Sequence, residues 1–393
     1  MRIALLDWVC DPDRPGASGL SDIVWDLARH LRAIGEDAIV IGAYDRDAVR
    51  PEGSVPLIAV DRPRAWRRNI IGYGATCLAL ARAIRHAGSV DVVFCAEYIS
   101  APVAALYYPS LPVVFTTPGN IYERLAYSNP YDWSTTQVYK LAAKASVRYC
   151  HRVVAISQHM AEWWERTGAA PRQIVVVPHG TDTAVYYPRA GARARLGIPS
   201  EHKVVFYAGR LSVEKNLPTL MAAVAELAPS RPALHLYLGG TGPEDAALRR
   251  LAAELGIADR VQLVGWIDRQ QMPDYYSAAD VFALPTTNEA LGRVLLEAMA
   301  CGTMVVASSF AGPRDIVDDG VNGVLAAPTD ARAWTRALAH ALDDDAWRRQ
   351  LADAGRRTVL ERFDWPVIAR RMRDEVFAPA ARCAERVRLR EAA

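Results

Sequence analysis

Short apolar runs alternate with amphipathic segments along almost the whole chain, and this alternation limits the possible folds more than any other feature. Each run holds three to five residues and is rich in Val, Ile and Leu. Runs of this kind are typical of strands buried on both faces, as in parallel sheets covered by helices. The runs predict strands at Ile3–Leu6, Ala38–Ile41, Leu57–Val60, Val90–Phe94, Val113–Thr116, Val153–Ile156, Ile174–Val177, Val204–Tyr207, Leu234–Leu238, Val261–Val264, Val281–Leu284, Met304–Ala307 and Val324–Ala326.

Helical periodicity fills several of the gaps between these strands. Helices are predicted at Ile23–Ile34, Thr76–His86, Pro218–Leu227, Glu244–Leu255 and Gly292–Ala300. A chain of 393 residues is too long for one ordinary hydrophobic core. The sequence therefore predicts an α/β fold with two doubly wound, Rossmann-like domains that face each other across a cleft, with ligands beyond the carboxyl ends of the strands.

A segment rich in Pro, Gly and Arg interrupts the alternation and marks the predicted domain boundary. The predicted domains are residues 1–187 and 200–367, joined by a linker at residues 188–199. A C-terminal helix at about residues 368–393 is expected to pack back on the first domain.

Charge and cysteine usage argue against several classes of protein. The formal net charge of +2 is far below that of most proteins that bind nucleic acid through bulk charge. The six cysteines are scattered without a C-x-x-C pair, which argues against a zinc site and a disulfide framework. No stretch has the ~18–20 apolar residues that span a bilayer, and the N-terminus turns acidic like a strand end, unlike a signal peptide. We therefore expect a reduced, cytoplasmic protein without a nucleic-acid partner.

The stretch NEALGRVLLEAMACG, at residues 288–302, sets two glutamates eight residues apart around a glycine. The preceding strand ends before Glu289, so this acid is expected in the loop at the strand's carboxyl end. Free N–H groups of the first helical turn, near Gly292 and Arg293, form a site for anions. Glu297 follows roughly 8 Å further along the helix axis, where its carboxylate could accept hydrogen bonds from a ribose. The alternative is that Glu289 is an ordinary first-turn acid and Glu297 a solvated helix residue.

Two cations follow another strand, in the stretch VVFYAGRLSVEKNL at residues 204–217. Arg210 and Lys215 lie in the loop that opens at Gly209, at the same predicted sheet edge, and they suit a diphosphate. Glycine-rich turns follow two further strands, in GASG ending at Gly19 and in LGGTG around Gly240. Taken alone, each feature has an ordinary alternative, namely solvated loop cations or plain turns.

Several of these stretches resemble a known family. The second half resembles the nucleotide-binding half of retaining glycosyltransferases of family 4 (glycosyl transferases group 1) in GRLSVEKNL, LGGTGPE, VQLVGWIDRQQMPDYYSAADVFALPTTNEALGRVLLEAMACGTMVVAS and GVNGVLAAPTD. Glu289 and Glu297 match the family's E-x7-E motif. In the first half, GASGLSDIVWDLARHLRAIGED resembles the family's glycine-rich loop and first helix. The stretch VVVPHGTDTAVYYP resembles the family's segment that leads from the first domain to the second. The resemblance implies the GT-B fold, with an acceptor-side first domain and a nucleotide-sugar-binding second domain.

The resemblance also implies a role for each matching residue. Arg210 and Lys215 would bind the donor diphosphate, Glu297 the ribose and Glu289 the transferred sugar, which makes Arg210, Lys215 and Glu289 the catalytic set. The residues implied to contact the donor are Gly19, Gly209, Arg210, Lys215, Gly240, Trp266, Leu291, Gly292, Arg293 and Glu297. The donor would be a UDP- or GDP-sugar, with no permanently bound cofactor and no metal.

One motif departs from the family's pattern. Where the family often has T-x-H-G, this chain has TTPGN, so Pro118 stands in place of a histidine that usually approaches the donor sugar. The implied acceptor side consists of Glu97, Pro118, Gly119, Asn120 and Glu123. The sequence does not specify what replaces the histidine.

The acceptor and the mechanism rest on fewer residues. No acid is placed persuasively as a nucleophile, so front-face substitution fits a retaining transfer better, with catalysis by charge stabilisation and orientation. The acidic stretch DWVCDPD, at residues 7–13, favours a small polar acceptor. The basic stretch RPRAWRRN, at residues 62–69, leaves a lipid acceptor and a peripheral membrane association open. The donor-site residues would also suit a sugar-nucleotide epimerase or hydrolase on the same fold, or a catalytically inactive nucleotide-sugar sensor, and the oligomeric state stays open.

Overall fold

The computed structural model describes residues 1–7, 19–44, 55–61, 70–117, 133–383 and 385, and the chain divides into two compact units. The first unit consists of Met1–His179 together with Trp365–Ala393, and the second of Gly180–Asp364. Among the described residues each unit contains one sheet, and every pairing between the strands of these sheets is parallel.

The first unit is built on a seven-stranded sheet among its described residues. Its strands are β1 Arg2–Asp7, β2 Asp37–Tyr44, β3 Leu57–Asp61, β4 Val92–Cys95, β5 Val113–Thr116, β6 Arg152–Ala155 and β7 Ile174–Val176. They lie in the order β3-β2-β1-β4-β5-β6-β7, so the direction of winding reverses between β1 and β4. The middle strands β4 and β5 are buried along their whole length, as their unbroken Val and Phe runs require.

Helices connect these strands in the first unit. They are α1 Gly19–Ala33, α2 Ile70–Ala83, α3 Ser100–Tyr107, α4 Trp133–Tyr149 and α5 Gln158–Thr167. In α1, the apolar residues Ile23, Leu27 and Leu31 recur at helical spacing and are buried in the core against β1 and β2.

The second unit repeats the same plan with a six-stranded sheet. Its strands are β8 Lys203–Ala208, β9 Leu234–Gly239, β10 Val261–Gly265, β11 Val281–Leu284, β12 Met304–Ser308 and β13 Val324–Ala326. Its helices are α6 Ala192–Arg195, α7 Leu217–Leu227, α8 Asp245–Glu254, α9 Met272–Ala278, α10 Arg293–Ala300, α11 Ala331–Asp343 and α12 Asp345–Arg362. The order β10-β9-β8-β11-β12-β13 reverses between β8 and β11, as in Rossmann-type sheets.

After α12 the chain returns to the first unit. Helix α13, Trp365–Arg371, continues into a π-helical turn, Met372–Phe377. Trp365 and Phe377 join the core that contains α1, and the Phe377 ring packs edge-on against Phe94 with ring centres 5.8 Å apart. The returning helix begins at Trp365, slightly before the expected start near residue 368.

The segment predicted as a linker, residues 188–199, belongs to the second unit. Its arginines dock it there, with Arg193 Nη2 2.8 Å from an Asp280 oxygen and Arg195 Nη2 2.5 Å from an Asp274 oxygen. The division falls at Gly180, before the predicted boundary. Local composition predicts a loose linker because it does not include the acids that pair with these arginines. Those acids lie about 80 residues further along the chain.

The predicted fold class, α/β with two doubly wound, Rossmann-like sheets, is confirmed. Every predicted strand is present, and most ends agree within two residues, although β2 extends to Tyr44. Among the described residues, no helix is both long and apolar enough to cross a membrane.

Candidate active site

The loops that carry the predicted donor residues of the second half leave the second sheet at one edge. They follow β8, β9, β10 and β11, which are neighbours in the parallel sheet, so their carboxyl ends point the same way. The loops after β8 and β11 flank the position at which the strand order reverses. Ligands of doubly wound sheets bind in the crevice at this position.

Lys215 and Glu289 form an ion pair at this reversal. The Lys215 Nζ atom lies 2.7 Å from Glu289 Oε2, and the two side chains are 18% and 20% exposed. Glu289 lies in the loop after β11, and α10 begins only at Arg293. The alternative in which Glu289 is a first-turn helix acid is therefore wrong.

The two loops that hold this pair are tied together through their backbones. The Glu214 carbonyl oxygen accepts hydrogen bonds from the Thr287 N–H at 2.9 Å and from the Thr286 hydroxyl at 3.0 Å. On the other side of the β8 loop, the Asn216 side chain donates to the Pro285 carbonyl oxygen at 3.1 Å. The position of Lys215 opposite Glu289 is thus set by the main chain of both loops.

Arg210 lies in the same β8 loop with an exposed side chain. Its guanidinium makes no ion pair with a residue that the structure describes, whereas its carbonyl oxygen accepts from the Tyr207 hydroxyl at 2.9 Å. Burial, and then the nearby charges of Glu289 and Glu214, raise the pKa of Tyr207 well above its ordinary value. Tyr207 therefore stays protonated and keeps the backbone of Arg210 in place.

The loops after β8 and β9 pack backbone against backbone at Gly209 and Gly240. Gly240 has φ +123°, and a Cβ atom at this position would overlap the carbonyl oxygen of Gly209. Glycine is therefore required at residue 240 for both conformation and space.

We expect Gly240→Ala to lower the free energy of unfolding by about 1–3 kcal/mol more than Gly256→Ala, because the extra methyl group must push a backbone aside. Gly256 is a matched control, since it also has positive φ (+70°) but an added Cβ would meet no heavy atom within 4 Å. Urea denaturation of both variants measures the difference. Equal losses of stability would contradict the close packing at Gly209.

The N-terminus of α10 opens next to the ion pair. Gly292 precedes the helix with φ +97°, and no side chain caps the first turn. The N–H groups at the start of a helix point along its axis, away from the helix, so this end of α10 is the one that favours an anion. Leu291 is buried, and the Gly312 N–H donates to the Glu289 carbonyl oxygen at 3.1 Å, which fixes the approach to the helix.

Glu297 is buried in the middle of α10, with 8% of its surface exposed. The Tyr276 hydroxyl, from α9, donates to Glu297 Oε2 at 2.8 Å, and Arg293 Nη2 lies 3.9 Å from Oε1. Burial, and then the charge of Glu297, raise the pKa of Tyr276 well above its ordinary value, so this tyrosine remains a donor. The alternative in which Glu297 is a solvated helix residue is wrong.

Tyr276 is a residue of this site that the sequence did not predict. Its position in YYSAAD is that of an apolar core residue, and the rings of Phe206 and Phe282 do pack against it. The only signal in the sequence was its hydroxyl group, because a buried tyrosine usually finds a hydrogen-bond partner.

The remaining predicted residues lie in different surroundings. Trp266 follows β10 directly and is 57% exposed. Gly19 is the first residue of α1 in the first unit. Glu97 is buried, and its carboxylate accepts hydrogen bonds from the N–H groups of Ser100 and of Ile99 (3.1 Å) at the start of α3. These contacts favour a structural role for Glu97. Pro118, Gly119, Asn120 and Glu123 lie outside the described residues.

Both halves of the chain match sequence profiles of known families. The sequence profile described as Glycosyltransferase Family 4 matches residues 17–185, and the one described as Glycosyl transferases group 1 matches residues 189–358. The D-inositol 3-phosphate glycosyltransferase of Xylanimonas cellulosilytica is 32% identical to this chain over 411 residues and covers 97% of each chain. The protein of the same name from Streptosporangium roseum is 30% identical, over 96% of this chain and 93% of the relative.

The fold has a close counterpart among solved structures. Sucrose-phosphate synthase from Thermosynechococcus elongatus matches with a TM-score of 0.81 and 27% identity, over 96% of this chain and 99% of that one. The GT-B fold implied by the sequence is thereby confirmed. With both halves matched and relatives aligned over almost their whole length, the chain belongs to glycosyltransferase family 4 and is a glycosyltransferase.

Proposed function

We propose that this glycosyltransferase moves a sugar from a nucleoside diphosphate sugar to a hydroxyl group of a small polyhydroxylated acceptor, with retention of anomeric configuration and without a metal ion. The observation that carries the proposal is the Lys215–Glu289 pair beside the uncapped N-terminus of α10, with buried Glu297 further along the same helix. A diphosphate, a ribose and a sugar each find suitable partners in this arrangement.

The donor diphosphate would lie against the N–H groups of the first turn of α10, with Arg210 and Lys215 as its cations. An uncapped helix N-terminus favours anions through its free donors and the helix dipole. Arg adds a planar pair of donors and Lys a compact charge, which together suit a diphosphate.

Glu297 would accept hydrogen bonds from the ribose hydroxyls, and Trp266 would lie near the base. Tyr276 donates to Glu297 Oε2 at 2.8 Å and so holds the carboxylate in one orientation, and a carboxylate can accept more than one hydrogen bond. We propose a UDP- or GDP-sugar because the donor residues match the family's motif, and product analysis with both nucleotides decides between them.

The transfer would proceed by front-face substitution. The bond between the anomeric carbon and the diphosphate oxygen breaks, the acceptor oxygen bonds to the same face of that carbon, and the acceptor proton passes to the leaving phosphate. Arg210, Lys215 and the helix N-terminus stabilise the charge that grows on the phosphate, while Glu289 orients the sugar hydroxyls.

The proposed acceptor is small and rich in hydroxyl groups. The names of the two relatives, D-inositol 3-phosphate glycosyltransferases, support an acceptor of this kind. Pro118, Gly119, Asn120 and Glu123 stay proposed as acceptor-side residues on the sequence resemblance.

The transfer is expected to survive removal of metal ions. Two cations and a helix N-terminus already supply the positive charge that a divalent ion would otherwise provide. Initial rates measured with excess EDTA should stay within about twofold of the untreated rate. Loss of one group that stabilises developing charge would lower the rate far more, by on the order of 10²–10³-fold. Loss of activity with EDTA and its recovery with Mg²⁺ or Mn²⁺ would contradict the metal-independent mechanism.

Product analysis tests the proposed function as a whole. UDP- and GDP-hexoses are incubated with the enzyme, with and without polyols and polyol phosphates, and NMR coupling constants give the anomeric configuration of each product. A glycoside with the donor's configuration supports the proposal, and an inverted one contradicts it. Conversion of the sugar nucleotide without any acceptor would favour an epimerase or a hydrolase.

A further inference from the structure

Helices α2, α3 and α4 form one layer on the first unit, because α2 packs against α3 and α3 against α4. Helices α3 and α4 lead into the adjacent strands β5 and β6, so their C-terminal ends lie side by side at the amino edge of the sheet. Apart from Gly19 on α1, the proposed donor residues belong to the second unit, and this layer contains none of them.

Large apolar side chains are exposed on this layer. Leu106 and Tyr107, at the end of α3, are 59% and 44% exposed, and Leu141 and Tyr149 on α4 are 66% and 47% exposed. Single exposed apolar residues are normal on a protein surface, whereas exposed apolar residues that form a contiguous patch mark an interaction site.

The same layer carries cations and no acids. Arg82 and Arg85 are exposed at the end of α2 and just after it, and Lys140, Lys144 and Arg148 are exposed along α4. Residues 70–90, 100–117 and 133–150 contain no Asp or Glu. On α4 the three cations recur every fourth residue, which places them in one stripe.

The stripe and the apolar side chains belong to a single surface. Around the axis of α4, Arg148 lies almost in line with Leu141, two turns away. Tyr149 lies about 80° from Leu141, on the side opposite to Arg148. Helix α5, which packs against α4, carries the exposed acids Glu162 and Glu165 and so bounds the basic surface. We call the surface formed by Leu106, Tyr107, Leu141, Lys144, Arg148 and Tyr149 the basic–apolar face.

We propose that the basic–apolar face binds the surface of an anionic lipid bilayer. Lys and Arg attract anionic headgroups, and their long apolar stems lie along the interface while the charges stay in water. Tyr and Leu enter the boundary between headgroups and acyl chains, where tyrosine is enriched because it has an apolar body and a polar end. The protein would bind to the membrane surface peripherally, through one face of a helical layer.

The composition of the face favours a bilayer over a protein partner. Protein–protein interfaces are depleted in lysine and in charge at their centre, whereas the exposed cations Lys144 and Arg148 lie on the same side of α4 as the exposed Leu141. The proposal does not depend on the donor or the acceptor, because binding to vesicles is measured without either of them.

The test compares vesicles and matched variants by co-sedimentation. The full chain is mixed with vesicles of phosphatidylcholine alone or with phosphatidylglycerol added, at about 100 mM and about 500 mM salt, which changes the screening length of the charges. Wild-type protein should bind the anionic vesicles at low salt and release them at high salt. The double variant Lys144→Gln/Arg148→Gln should partition about 30-fold less, from the loss of two charges near the surface.

The control is Arg332→Gln/Arg336→Gln on α11. These two exposed arginines have the same spacing and the same charge loss but lie on the second unit, so vesicle binding should stay within about twofold of wild type. Leu106→Ser/Leu141→Ser should weaken binding about tenfold without changing the net charge.

Four results would overturn the proposal. The first two are that the wild-type chain does not bind anionic vesicles, or that it binds neutral vesicles equally well. The third is that the Arg332→Gln/Arg336→Gln control loses as much vesicle binding as Lys144→Gln/Arg148→Gln. The fourth is that the wild-type chain self-associates with increasing concentration, and that Leu106→Ser/Leu141→Ser abolishes this self-association but leaves vesicle binding unchanged. Thermal unfolding of each variant checks the fold, and the salt dependence of the wild-type protein tests the proposal even if a variant fails to fold.

Discussion

Replacing Lys215 with alanine is expected to lower kcat by on the order of 10²–10³-fold, the usual effect of removing one preorganised group that stabilises developing charge. Charge grows on the diphosphate as its bond to the sugar breaks, and Lys215 Nζ stands at the sheet reversal, 2.7 Å from Glu289. The affinity for the intact donor should change less than kcat, because the extra charge is present only in the transition state. Steady-state kinetics at saturating donor measure the effect.

Lys203→Ala is the matched control for this variant. Lys203 is the first residue of β8, at the opposite end of the strand from the Lys215 loop, and its Nζ lies 3.1 Å from an Asp345 oxygen on the surface. Its replacement should leave kcat within about twofold, because a surface ion pair contributes little even to stability. A near-normal kcat in Lys215→Ala would remove this lysine from the mechanism.

Replacing Glu297 with alanine is expected to weaken the binding of the bare nucleoside diphosphate by about 1.5–3 kcal/mol, the range for hydrogen bonds to a charged group. This corresponds to roughly 10–150-fold in the dissociation constant. Tyr276→Phe should weaken binding by about 0.5–1.5 kcal/mol, since it removes only the hydrogen bond that orients the carboxylate. Isothermal titration calorimetry measures both variants.

Two comparisons show whether Glu297 contacts the ribose. Glu289→Ala should leave the affinity for the bare nucleotide almost unchanged and lower turnover, because Glu289 is assigned to the sugar. A dideoxy nucleoside diphosphate should bind to wild type and Glu297→Ala about equally, since it lacks the hydroxyls that the carboxylate would accept from. If Glu289→Ala weakens the nucleotide and Glu297→Ala does not, the two roles have been exchanged.

The strands could be predicted closely because each one is a local signal. A parallel strand covered on both faces needs an unbroken apolar run, and β5, β11 and β13 begin and end at the predicted residues. The glycine-rich exits and the position of Glu289 follow from the same pattern, since loops must leave a parallel sheet at the ends of its strands.

Contacts between distant parts of the chain could not be predicted in this way. The hydrogen bond from Tyr276 to Glu297 and the salt bridge from Arg193 to Asp280 join residues on different elements, and neither is visible in a periodic pattern. The surroundings of Glu97 could not be predicted for the same reason, because an acid after a strand has the same local sequence whether it binds a ligand or the N–H groups of the next helix.

The return of the chain to the first unit affects how the protein is made. Trp365, Ile368 and Phe377 are part of the same core as α1, so the first unit cannot complete this core until Phe377 has left the ribosome. The second unit is one continuous segment, Gly180–Asp364, and can fold before that moment. Domains usually fold in the order of their synthesis, from the N-terminus onward. Here we expect that order to be reversed: the second unit can complete its fold while the core around α1 still lacks the returning helix, which leaves apolar residues of the first unit open to contacts with other chains.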